Sequence, residues 1–171
     1  MNLHQKFLHS PRAPFALIFF ICAALLAFAY YAQYVMYLDP CPMCILQRFA
    51  FMIMAAGALL GMIHGSRGPS RWLYVLVVWL GGIWGLITAG RHVWIQNLPP
   101  DQVPDCGAGF AYNVELFGWG EAIRSAFAGS GDCALVSWRF LGLTMPGWTL
   151  VWYVILMLIS LLALRKIGRY E

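Results

Sequence analysis

Four apolar runs, each long enough to cross a bilayer, leave this chain few ways to fold. They cover residues 15–37, 45–63, 72–90 and 147–164, and the only charge inside them is Arg48 in the second. About 20 apolar residues suffice for one helical crossing. In lipid a helix satisfies its own backbone hydrogen bonds, which an open strand cannot do. The expected fold is therefore an all-α membrane protein: a bundle of four transmembrane helices forming a single integral domain. Between the spans lie two outer loops, a short one at about 38–44 and a long one at about 91–146.

The composition agrees. Of 171 residues 61% are hydrophobic and 11% charged, against about 25% charged in a soluble domain. The net charge of +4 does not indicate nucleic acid, because the basic residues sit in short segments between apolar runs rather than in one patch. Lys6 and Arg12 precede the first run, Arg67 and Arg71 separate the second from the third, and Arg165, Lys166 and Arg169 follow the fourth. Four crossings put these segments on one side, which the positive-inside rule makes the cytoplasm. Asp39, Asp101, Asp105, Glu115, Glu121 and Asp132 fall on the other side, leaving only Glu171 with the basic segments. Both termini are then cytoplasmic and both outer loops face away from the cytoplasm. The N-terminal run exceeds the roughly 7–15 residues of a signal-peptide core, so it is expected to remain as a span.

The long loop contains Pro99, Pro100 and Pro104, which disfavour helix, followed by Val114 to Phe127, which suits a short amphipathic helix. Trp138 to Leu143 is apolar and aromatic, a composition suited to lying on a membrane surface. Most of the eight tryptophans and eight tyrosines fall near the ends of spans, where such rings anchor a helix.

The chemistry lies in the cysteines. Cys41-Pro42-Met43-Cys44 stands at the mouth of the second span, and Arg48 follows one turn after Cys44. Pro42 fits a first helical turn, so Cys44 comes to the amino end of a helix, where free N–H groups and the dipole favour a thiolate. Arg48, four residues on, shares that face about 6 Å along the axis. It can stabilise the Cys44 thiolate or an anion on a bound ligand, and a charge at such depth is costly unless it has a function. C-x-x-C spacing is also compatible with a structural disulfide or with zinc, and the four outer cysteines offer an all-thiolate set. Cys106 and Cys133 are far apart in the sequence and complete no second close metal-ligand pair. Read alone they are either a loop staple or a disulfide that exchanges with a partner, and their glycine-rich flanks give a partner room to approach. Cys22, in the middle of the first span, suits packing or the wall of a ligand pocket.

Cys-Pro-Met-Cys-Ile-Leu-Gln-Arg at residues 41–48 resembles the DsbB family of disulfide-bond oxidoreductases. So do Ser130-Gly131-Asp132-Cys133-Ala134, Trp138, Phe140-Leu141-Gly142-Leu143, Met145-Pro146 and Trp148, in the same order along the chain. The resemblance covers nearly the whole chain. It implies a multi-pass protein of a bacterial inner membrane with periplasmic cysteine loops, which reoxidises a DsbA-like thioredoxin-fold oxidase and passes the electrons to a membrane quinone, ubiquinone or menaquinone. By position, Cys106 and Cys133 are the pair that faces DsbA, and Cys41 and Cys44 the pair that faces the quinone. Arg48 matches the family's quinone-site arginine, and His92 falls where the family has a histidine near the quinone. Gln47 stands where some relatives carry an acidic residue, and it is assigned no role. No metal and no nucleic acid is expected.

Two other readings stand beside this one. Vitamin K epoxide reductase relatives share a helical bundle, quinone chemistry and four cysteines, but there the C-x-x-C follows the separated pair, whereas here it comes first. The non-enzymatic alternative is a four-span scaffold or metal-binding subunit with structural cysteines.

Overall fold

A computed structural model describes residues 12–65, 70–105, 107 and 109–165 of the chain. Four helices long and apolar enough to cross a membrane make up the body: α1 (Ala13–Tyr34), α2 (Pro42–His64), α3 (Ser70–Gln96) and, last in the chain, α6 (Met145–Arg165). At 1.5 Å per residue the 22 residues of α1 extend about 33 Å, which matches a hydrocarbon core of about 30 Å. α3 has 27 residues and reaches about 40 Å, so it continues past Gly90 and carries His92 within its last turns. The outsides of the helices present Leu17, Phe20, Leu73, Leu76, Leu80, Ile87, Leu158 and Leu162 unburied. A continuous apolar exterior of this kind is a surface for lipid. The chain is an all-α, four-span membrane protein.

Helices in lipid gain little from apolar burial against one another and associate through close packing. The core at mid-height joins Ile18 and Cys22 of α1, Ala50, Phe51 and Met54 of α2, Val78 and Ala89 of α3, and Tyr153 and Leu156 of α6. Tyr153 is its keystone. The ring stacks on Phe51 with centroids 4.4 Å apart, and the hydroxyl donates to the Gln47 carbonyl at 2.8 Å. The ring fits because residue 85 is glycine, where any Cβ would run into it. At the far end Arg71 donates to the Ala163 carbonyl at 2.9 Å, capping the carboxyl end of α6. Gly65 closes α2 in the left-handed conformation, φ 53°.

Between α3 and α6 the outer segment holds a 3-10 turn (Pro100–Gln102), helix α4 (Phe110–Ala128), a short helix α5 (Gly131–Ala134) and a hairpin of β1 (Arg139–Phe140) and β2 (Leu143–Thr144). α4 starts earlier than the amphipathic pattern from Val114 indicates, and it kinks at Gly118, φ 78°. Phe110, Ala122 and Ala126 on α4 bury against Leu46 of α2. Arg91 then fixes the end of α4, donating to the Phe127 carbonyl at 2.6 Å and the Ala128 carbonyl at 2.9 Å. A cation there also complements the helix dipole. Gly131 N–H donates to the Asp105 carbonyl at 3.1 Å. These contacts deliver α5, and Cys133 on it, to the mouth of the bundle.

Candidate functional site

Cys41 is the N-cap of α2. Its backbone is extended (φ −64°, ψ 161°) and its sulfur accepts from the Cys44 N–H at 3.4 Å, while Pro42 occupies the first turn, where no N–H is needed. The helix start folds the C-x-x-C motif so that the Cys41 and Cys44 sulfurs lie 3.1 Å apart. Both side chains are partly exposed.

Cys133 comes from the other outer loop. It is buried with Met43 and Ile95. Its sulfur, that of Cys41 and a ring nitrogen of His92 all lie within 4.8 Å of one another. The contact with Cys133 acts to lower the Cys41 pKa, but the contact with Cys44, burial and repulsion from Cys44 outweigh it and push that thiol up. The contact with Cys41, burial and repulsion from Cys41 push the Cys133 thiol up as well. Two thiolates so close in a partly dry site are unfavourable together.

His92 joins the two loops. Its Nε2 stands 3.7 Å from Cys41 Sγ and 3.1 Å from the Cys133 carbonyl oxygen. Gln47 Nε2 donates to His92 Nδ1 at 3.1 Å, and Gln47 Oε1 accepts from the Thr149 hydroxyl at 2.7 Å. With Nδ1 accepting, the ring proton is on Nε2, pointing at the carbonyl and the sulfur.

Arg48 lies on the α1 side. It donates to Gln33 Oε1 and, at 3.1 Å, to the Ala29 carbonyl, with its guanidinium 4.9 Å from the centroid of the Tyr30 ring. Cys41, Cys44, Arg48 and His92 all line one cavity of about 300 Å³, walled by Leu25, Phe51, Trp148 and Trp152 among others. This is the lower end of the size range of small-molecule sites. A mostly apolar hollow with a cation and a thiol at its edge suits a flat apolar ring that carries carbonyl oxygens.

Of the residues singled out in the sequence, Cys41, Cys44, Cys133, Arg48 and His92 converge here. Cys106 lies outside the described residues. Cys22 is fully buried in the core of the bundle. Gln47, Thr149 and Gln33 complete the hydrogen bonds of the site, although no sequence motif marks them. The signal available for the two glutamines was a polar amide inside an apolar run.

A family model described as Disulfide bond formation protein DsbB matches residues 11–163. Disulfide bond formation protein B of Marinobacter nauticus is 47% identical over 152 residues, 89% of this chain and 90% of the relative. The protein of that name from Nitrosococcus oceani is 43% identical over 159 residues, covering 93% and 94%. That of Xanthomonas axonopodis pv. citri is 43% identical over 166 residues, covering 96% of each.

Proposed function

The chain belongs to the DsbB family of disulfide-forming membrane oxidoreductases, and from that premise we propose that it reoxidises a DsbA-type thiol oxidase and delivers the electrons to a membrane quinone. The observation that carries this reading is the meeting of Cys41 and Cys133, one from each outer loop, beside the cavity that Cys44 and Arg48 line.

The exchange balances as follows. A thiolate of reduced DsbA attacks Cys106, breaks the Cys106–Cys133 bond and releases Cys133. The second DsbA thiol resolves the mixed disulfide, and Cys106 leaves as a thiol. Cys133 attacks Cys41, breaking Cys41–Cys44 and releasing Cys44 as a thiolate at the amino end of α2. Cys106 then closes again on Cys133 and frees Cys41. Two electrons now reside on Cys41 and Cys44, and DsbA has lost them. Each step needs a thiolate in line with a sulfur and a leaving thiol that is stabilised. His92 Nε2–H faces the Cys41 sulfur and serves that purpose when Cys41 is displaced. The N-terminal dipole of α2 and the charge of Arg48 do the same for Cys44. A quinone, when bound, supplies the two-electron acceptor; Arg48 and Cys44 would hold it at the cavity. The basic segments orient the protein in a bacterial inner membrane with both termini cytoplasmic and the cysteine loops periplasmic.

The test is to mix purified protein with reduced DsbA and excess ubiquinone or menaquinone, and to follow quinone absorbance and DsbA thiols together. One quinone should be consumed for each DsbA oxidised. DsbA that stays reduced with both quinones refutes the proposal.

A further inference from the structure

Cys41, Cys133 and His92 take part in the proposed exchange one at a time, but in the reduced protein they also form a joint donor set. The three donor atoms lie within 4.8 Å of one another, and Cys41 Sγ is 3.7 Å from His92 Nε2. Zinc takes sulfur at about 2.3 Å and imidazole nitrogen at about 2.0 Å, which places the two about 3.5 Å apart in a tetrahedron. The spacing already present is close to that edge. Thiolate and imidazole together select zinc and similar thiophilic ions.

A second, independent feature concerns His92. As a ligand it must present an unprotonated Nε2 and carry its proton on Nδ1. A metal-bound histidine normally donates that other N–H to a fixed acceptor. Gln47 is in place for this. The Thr149 hydroxyl, with one hydrogen, lies 2.7 Å from Gln47 Oε1 and 2.9 Å from the Pro146 carbonyl. When it donates to Gln47, the amide donates to His92 Nδ1 and the ring proton is on Nε2. When it donates to Pro146, the Gln47 amide turns over, donates to Thr149 and accepts from His92 Nδ1–H. Both arrangements leave Gln47 and Thr149 satisfied, and the second frees Nε2 for a metal.

We propose that the reduced protein binds one thiophilic divalent cation, zinc in kind, through Cys41 Sγ, Cys133 Sγ and His92 Nε2, with Gln47 holding the histidine and a fourth position left open. Binding involves no redox change: two thiols lose their protons as two metal–sulfur bonds form. In the oxidised protein Cys41 and Cys133 are both held in disulfides, so the site exists only in the reduced state. While occupied it withholds Cys41 and Cys133 from exchange. That last consequence rests on the proposed reaction; the binding itself does not.

The experiment uses the full chain in nanodiscs, fully reduced with a phosphine and free of quinone, titrated with Zn²⁺ against a chromophoric chelator. One ion should bind per chain, and none to the oxidised protein. X-ray absorption at the zinc edge on the wild-type protein should find sulfur together with imidazole nitrogen, and needs no variant to fold. Q47L should weaken binding about 10- to 100-fold, H92A by more, and C106S not at all. Absence of stoichiometric binding, a sulfur-only shell, or loss of binding in C106S overturns the proposal. Because quinone is absent throughout, failure here leaves the proposed electron route untouched.

Discussion

His92 Nε2 stands 3.7 Å from Cys41 Sγ, at the junction of the two outer loops. The same nitrogen lies 3.1 Å from the Cys133 carbonyl, so one imidazole touches the sulfur of one loop and the backbone of the other. In the proposed exchange a donor at this point stabilises the Cys41 thiolate as it is displaced.

Replacing His92 by Phe should therefore slow the step in which Cys106 closes on Cys133 and displaces Cys41. A hydrogen bond to a charged group contributes about 1.5–3 kcal/mol, which corresponds to roughly a 10- to 100-fold loss in rate. Rapid-quench thiol trapping after mixing with reduced DsbA should find a Cys41–Cys133 disulfide accumulating, with Cys44 and Cys106 reduced. An unchanged rate of Cys41 release would remove His92 from the exchange.

Arg48→Met should lower quinone turnover about 10- to 100-fold, the loss of one charged hydrogen bond to the acceptor, while the yield of folded protein changes far less. Arg48→Lys should recover only part of the rate, since an ammonium cannot reproduce the guanidinium fork that reaches both Gln33 and Ala29. Normal quinone kinetics in purified Arg48→Met would exclude the assignment.

Cys106→Ser should block oxidation of DsbA and leave the Cys41/Cys44 pair able to be oxidised by quinone. Measured with DsbA as the electron donor, this variant should be inactive; measured as loss of Cys41 and Cys44 thiols after chemical reduction, it should behave as wild type. DsbA reoxidised at the normal rate would contradict the division of labour between the pairs.

The core makes a prediction of its own. Gly85→Val places atoms where the Tyr153 ring lies, and overpacking of this kind costs about 1–3 kcal/mol. Tyr153→Phe removes the donor to the Gln47 carbonyl at the cost of about 1 kcal/mol. Thermal melts in detergent should rank wild type above Tyr153→Phe, and Tyr153→Phe above Gly85→Val. A melt of Gly85→Val at the wild-type temperature would mean that the α3–α6 contact is looser than described.

The sequence revealed the spans because a membrane imposes a simple rule, a long apolar run, and Cys41, Cys44 and Arg48 were legible because one helix turn relates them. What was not legible depends on contacts between distant segments. Cys133 meets Cys41 through contacts such as Arg91 at the end of α4 and Gly131 on Asp105. Gln47 meets Thr149 across α2 and α6, and no local pattern records such a pair. The apolar run ends at Gly90 and leaves His92 just beyond a span, whereas α3 continues to Gln96, since helix geometry persists beyond the apolar core. The apolar composition of Trp138 to Leu143 suits a membrane surface but does not record the local fold. The segment turns back on itself through Leu141 (φ 47°) and Gly142 (φ 82°), and a leucine at positive φ carries no turn signature.

The most direct measurement is a thiol count on fully reduced protein in nanodiscs, without DsbA or oxygen, after addition of ubiquinone or menaquinone. The account predicts that thiols disappear in pairs, Cys41 and Cys44 first, with one quinone reduced per pair. Thiols that persist unchanged in the presence of either quinone would contradict it.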